Sequence, residues 1–336
     1  MPASNVLWPV PLQRLTPWYP GQMGVPGTDS DRGLRQDSNG KIIWVDPNHA
    51  DAHDGKDGTN PDSPMRTVAG ALTKCRAYSG DVIAVMHNAY WTYANSASIR
   101  RLPVQEAVTV TVPGVRIVGL SCGSIGVPWF SAADDAVSIT VQAMDVTIEG
   151  FVFWNTGYTG TTGISAVWDS PPHGENTVIR HNFFYHLEYG IQLDYTYNVY
   201  VEDCRFDGLA TGIYNPSVYG EPDYSVFRNN IFIGCTAAIN LPDCDYELIE
   251  ANRFLHNTAA IAIANGRYNT IHGNTIQGDP TGTNNMINLT GGASNLVSQN
   301  MLSCTIAQYD VCNSDATSGS WVGNLCTNGT ATAPPV

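Results

Sequence analysis

Apolar residues recur along this chain at intervals too long for one helix face and too regular for loops. The stretch VIRHNFFYHLEYGIQL, residues 178–193, is echoed by VFRNNIFIGCTAAINL from 226 and LIEANRFLHNTAAIAI from 248. One apolar series runs Ile117, Ile148, Ile179, Val201, Phe227, Ile249, Ile271 and Val297, in successive steps of 31, 31, 22, 26, 22, 22 and 26 along the chain. Five places after each member stands a second series: Cys122, Phe153, Phe184, Phe206, Phe232, Phe254, Ile276 and Leu302. In four successive units Ile191, Ile213, Ile239 and Ile261 follow seven places later, with Leu193, Asn215, Leu241 and Ile263 two further on.

Within a unit the alternation is short, has a period of two and is broken by Asn, Gly or Asp, which is the pattern of strands and corners. A repeat of about 22 residues holds three short strands, one turn of a parallel β-helix whose strands pair with their equivalents about 4.8 Å away. The fold predicted is all-β: a single-stranded parallel β-helix of about eight turns, right-handed by the crossover rule. Its phenylalanine series should stack along the axis. Three places after the first series stand Asn182, Cys204, Asn230, Asn252, Asn274 and Asn300. Asparagines at an inward corner tolerate unusual backbone angles and can hydrogen-bond from turn to turn. Cys204 should interrupt that ladder, and Leu120 and Phe151 keep it from starting before about residue 180. The row Arg180, Glu202, Arg228, Glu250, His272, Ser298 reads as an exposed charge ladder that favours correct register.

The ends have a different character. Residues 1–40, with LWPVPLQRLTPWYPGQMGVPG, have no periodicity and are rich in Pro, Gly and aromatic residues. They read as an extended docking arm with Trp8, Trp18 and Tyr19 as its contact residues. The β-helix should occupy 41–325, opening with a capping helix at about 66–76. Val68, Ala69, Leu72 and Cys75 would line one face of that helix and close the open end. Residues 326–336 read as a C-terminal tail.

Charge narrows the function classes. The net charge is −14, and the only lysines are Lys41, Lys56 and Lys74. A nucleic-acid or anionic-membrane partner needs clustered Lys and Arg, so neither is expected. No apolar run is long enough to span a membrane, and the first residues lack the pattern of a secretory signal. Eight cysteines without a C-x-x-C spacing read as buried free thiols, with Cys304, Cys312 and Cys326 the candidates for any pairing. No cofactor or metal is expected. The loop DAHDGKDGTNPD (51–62) places Asp51, Asp54 and Asp57 where a structural Ca2+ is conceivable, but it lacks EF-hand spacing and Asx turns explain it. His49 and His53 have no third ligand at a useful spacing.

Trp44-Val45-Asp46-Pro47, Asp54-Gly55, Asp57-Gly58-Thr59, Pro64, Thr67-Val68, Ala71-Leu72 and Gly80-Asp81 resemble the opening of the pectate-lyase-like superfamily of right-handed parallel β-helices. The form they resemble is common in bacteriophage tailspikes and other virion appendages, and the resemblance covers about 41–325. It implies a virion structural protein: a spike, fibre or capsid decoration subunit, homotrimeric and anchored to other virion proteins by its N-terminal arm. Assembly in the host cytoplasm would suit reduced cysteines. Two alternatives stay open on the same fold, a polysaccharide-degrading tailspike-type depolymerase and a carbohydrate-binding adhesin.

Catalysis would need converging carboxylates. Of the galacturonase-like elements only Asp134-Asp135 and His272-Gly273 have counterparts, and no lysine follows Lys74 to serve a lyase. The candidate carboxylates flank the third strands and the long loops 169–176 and 215–224: Asp194, Glu221, Asp223, Asp243 and Asp245. Tyr214, Tyr219 and Tyr224 are the candidates for contact with a glycan. Turn chemistry accounts for the same aspartates.

Overall fold

The structure, a computed structural model, describes residues 40–87, 103–121, 126–131, 133, 136–155, 159–167, 174–216, 222–278, 286–303 and 319–326. Trp8, Trp18 and Tyr19 of the arm lie outside these residues, as do Glu221, Tyr219, Asp134, Asp135 and the tail from 327. The described strands form three parallel walls of 11, 9 and 8 strands, and from Arg116 onward consecutive strands pass from wall to wall. This is a parallel β-helix, the fold expected from the repeat. Between Arg116 and Thr290 every turn gives one strand to each wall, 21 strands in seven turns, against the eight expected. Among the described residues no helix is long and apolar enough to cross a membrane.

The register matches the repeat residue by residue. Ile179 pairs with Val201 in the first wall, Phe184 with Phe206 in the second and Ile191 with Ile213 in the third. The first series continues at both ends: Ile43 and Ile83 precede Ile117, and Trp321 follows Val297. The second departs at its start. Trp129, not Cys122, pairs with Phe153, and Cys122 lies outside the described residues. The early turns are longer than the later ones, so a fixed offset from Ile117 falls short of the second wall.

Side chains of these series fill the axis. Phe153, Phe184, Phe206, Phe232 and Phe254 are fully buried. Their rings stack at 5.2, 4.9, 4.6 and 5.0 Å with interplanar angles of 12° or less. Such pairs contribute about 0.5–1.5 kcal/mol each beyond area burial. The third wall makes room for them: a Cβ at Gly212 would lie 2.9 Å from the Phe232 ring and 2.5 Å from the Ala238 carbonyl oxygen.

The asparagine corner begins at Asn182, as expected. Asn230, Asn252, Asn274 and Asn300 each donate a side-chain N–H to the next asparagine oxygen, at 3.1, 3.1, 2.9 and 2.9 Å, and the run ends on Asn324. At the break, the Cys204 main-chain N–H donates to Asn230 Oδ1 at 2.9 Å. The backbone detail differs from expectation. The left-handed residue is the one before each ladder position: His181, Asp203, Asn229, Ala251, Gly273, Gln299 and Gly323. The asparagine side chain must point inward to bond the core-facing main chain, so the corner turns one residue earlier.

Two further expectations are corrected. The helix spans only Val68–Leu72, with Val68, Ala71 and Leu72 buried and Ala69 exposed. One short turn buries positions i, i+3 and i+4, which are 68, 71 and 72. Of the expected charge ladder only Arg228 is exposed; Arg180, Glu202, Glu250 and His272 are half-buried and Ser298 is buried. At the ladder's start Glu149 is buried, with Arg116 Nη2 at 2.7 Å and Arg180 Nε at 2.6 Å. Further along, Arg228 pairs with Glu202 at 2.7 Å and is about half exposed.

Candidate functional site

Three of the candidate carboxylates meet at one corner, where the chain leaves the third wall and returns to the first. Two successive turns carry Pro222-Asp223-Tyr224-Ser225 and Cys244-Asp245-Tyr246-Glu247, and the next carries Gly266-Arg267-Tyr268-Asn269. Each position of this unit forms its own column, because these turns are equal in length and pair in register.

The aspartate column is tied to the main chain. Asp223 Oδ1 accepts the Asp245 N–H at 3.0 Å, and Asp245 Oδ1 accepts the Arg267 N–H at 2.8 Å. The second oxygen of Asp245 receives Arg267 Nη2 at 2.8 Å. Burial raises the carboxyl of Asp223 above the ordinary range, opposed by the Asp245 amide and reinforced by the charges of Asp245 and Asp243. Asp243 is raised too, by burial and then by Asp245. Asp223 and Asp245 serve as main-chain acceptors at a tight corner.

Asp194 lies apart, at the end of the third-wall strand Tyr189–Asp194, beside Val167. Its Oδ1 is buried and, among the described residues, has no hydrogen-bond partner; burial raises its carboxyl.

The tyrosine column is the exposed part of the corner. Tyr224, Tyr246 and Tyr268 stack at 4.8 and 4.9 Å, with interplanar angles of 5° and 14°, each close to half exposed. All three occupy left-handed backbone, with φ of 58°, 63° and 59°. Tyr246 and Tyr268 are absent from the sequence-derived candidates, although the spacing 224, 246, 268 repeats the period of the later turns. Stacking changes what the column can offer. The faces of Tyr246 are covered by its neighbours, so Tyr246 offers its ring edge and hydroxyl to the surface. Tyr214 stands elsewhere, on the third wall, stacked on Tyr189 at 4.8 Å.

The N-terminal loop is closed by its own turns. Asp54 accepts the N–H groups of Arg66 and Thr67, each at 2.9 Å, and the Thr67 hydroxyl at 2.8 Å. Thr67 then caps the helix through Gly70, and Glu106 accepts the Val68 and Ala69 N–H groups. Asp57 accepts the Thr59 N–H at 3.1 Å, and bonds from Thr59 hold its carboxyl below the ordinary range.

Residues 135–322 match the family described as periplasmic copper-binding protein (NosD). No curated protein matches the chain by sequence. Among solved structures, the enzymatically active domain of bacteriophage CBA120 tailspike protein 2 is 16% identical, with a TM-score of 0.47. The match covers 84% of this chain and 42% of that one. Geobacillus virus E2 ORF18 is 12% identical with a TM-score of 0.49, over 85% of this chain and 59% of its own. Pectate lyase Pel9A is 14% identical with a TM-score of 0.36, over 88% and 79%. The chain thus spans about half the length of the two viral proteins, and at these identities the likeness is one of fold.

Proposed function

The chain belongs to the NosD family, the family described as periplasmic copper-binding protein, and from that premise we propose that this member serves through its shape. The reading is a β-helical spike, fibre or capsid decoration subunit of a bacteriophage virion, homotrimeric and attached through residues 1–40. The observation that carries it is the use of Asp223 and Asp245, whose oxygens bind main-chain N–H groups of the following turn. The acids best placed for chemistry are spent on holding turns together. The sequence resemblance of residues 41–81 to virion appendages supports the same reading.

Copper does not fit the described residues. Among them no three His, Cys, Asp or Glu side chains gather in a metal-holding group. Cys204, Cys235 and Cys244 are buried singly, and burial pushes the Cys235 thiol up to about 12. A copper site would need deprotonated or neutral donors brought together at one place. Our reading places no Ca2+ in loop 51–62, since Asp54 is engaged by Arg66 and Thr67 at the helix start and Asp57 by Thr59.

A second reading, carbohydrate contact without cleavage, is favoured by the exposed tyrosine column. Two measurements separate these readings. Antibody labelling of intact particles should place the chain on the virion, and its absence from particles overturns the structural role. Incubation with host surface polysaccharide should release no reducing ends. Release abolished by Asp243→Asn with Asp245→Asn would establish the depolymerase instead.

A further inference from the structure

The interior position after each corner tyrosine forms a polar ladder of its own. Val199 N–H donates to Ser225 Oγ at 3.2 Å, Glu247 N–H to Asn269 Oδ1 at 2.7 Å, and Asn269 N–H to Asn295 Oδ1 at 3.0 Å. The asparagines also give a bond back to the preceding turn. Asn269 Nδ2 donates to the Cys244 carbonyl at 3.1 Å and Asn295 Nδ2 to the Gly266 carbonyl at 2.9 Å.

Glu247 is the one acid in this ladder. It is 1% exposed, and among the described residues neither of its carboxyl oxygens meets a partner in full hydrogen-bonding geometry, although the Ser225 main-chain N–H acts on it. A buried carboxylate in that state is costly, whereas the neutral acid carries an O–H that can donate. Asn269 reaches back to the carbonyl of Cys244; the equivalent step back from Glu247 leads to Pro222.

We propose that Glu247 is held inside the rod as the uncharged acid and gives its proton to the Pro222 carbonyl, in place of the amide that asparagine uses in the next two turns. Loss of that proton in alkaline medium breaks the ladder at this corner and loosens the turns it joins. Of the charged groups around it, Asp223 and Asp245 favour the neutral form. Asp223 stands in the turn before, Asp245 and the Cys244 thiol in the same connection, and Asp243 beyond them. Arg267, in the turn after, is engaged by Asp245. Burial is the largest influence raising this carboxyl, and the Ser225 amide opposes it. A raised acid makes the folded state bind more protons than the unfolded one, so stability is full below the ordinary glutamate range and falls as pH rises.

The test is the thermal midpoint of the full chain between pH 5 and pH 9, for wild type, Glu247→Gln and Glu247→Asn. Wild type should lose about 4 °C or more relative to Glu247→Gln across that range. Infrared difference spectra at pH 7 should show a protonated carboxyl in wild type that both variants lack. Parallel midpoint profiles for wild type and Glu247→Gln overturn the proposal. So does a wild-type spectrum without that band. Glu247→Asn keeps the test decisive if the glutamine variant does not fold.

Discussion

Asn252 donates twice to one oxygen of Asn274, from its main-chain N–H at 2.9 Å and from its side-chain amide at 3.1 Å. The same amide also reaches the Phe227 carbonyl at 2.8 Å. Asn252 Oδ1 in turn accepts two bonds from Asn230. One side chain therefore satisfies buried groups in the turns on both sides of its own. Asn252→Ala should cost about 2–4 kcal/mol, because it strands several buried donors and acceptors. Asn252→Asp should cost at least as much, since it keeps the acceptor, loses both donors and buries a charge. Denaturant titration of the two variants checks the order.

Glu149 bears on acid stability. Burial by itself would raise its carboxyl, but the charges of Arg116 and Arg180 and the bond from Arg180 hold it below the ordinary glutamate range. A depressed acid contributes stability that is present above the ordinary range and lost as pH falls through the folded value. Glu149→Gln should flatten the acid limb of the stability profile. Glu149→Ala, which leaves two largely buried guanidinium groups without their shared partner, should cost about 3–5 kcal/mol. Midpoints measured from pH 7 down to pH 3 report both.

Gly212 tests the fit of the third wall against the ring column. Gly212→Ala places a methyl group against Phe232 and the Ala238 carbonyl. Main chain cannot yield as a side chain can, so about 1–3 kcal/mol should be lost. Phe232→Leu in the same molecule should recover part of it, giving a non-additive double-mutant cycle.

Tyr246 stands in the middle of the exposed stack, in backbone that asparagine adopts at lower cost. Tyr246→Asn exchanges two ring contacts for relief of that strain, and should shift the thermal midpoint by less than about 2 °C. A fall in glycan binding without such a shift would favour the carbohydrate-contact reading.

Shape was legible in the sequence because a β-helix repeats its environment. The Ile179, Phe184 and Ile191 columns follow from spacing alone, as do Asn182 and the break at Cys204. Where turns carry insertions, spacing stops being a guide, and Trp129 takes the place assigned to Cys122. The carboxylates were less legible. Asp223 and Asp245 have the residue type of catalytic acids, and nothing in their type shows that a main-chain N–H one turn along will bind them. Tyr246, Tyr268 and Glu247 were visible in the period of the later turns, but a search limited to loops passes over residues that belong to the corner itself. A charge row that begins at Arg180 leaves out Glu149, which stands directly after Ile148.

Pairing partners here lie one turn apart in sequence, as Ile148, Ile179 and Val201 do in the first wall. Closing so short a loop carries a small entropic cost, and that cost does not grow as the rod lengthens. A finished turn presents an edge whose register the following one copies, so the chain can order itself progressively from its N-terminal side as it leaves the ribosome. Assembly becomes an extension reaction, in which the last turn laid down acts as the template for the next.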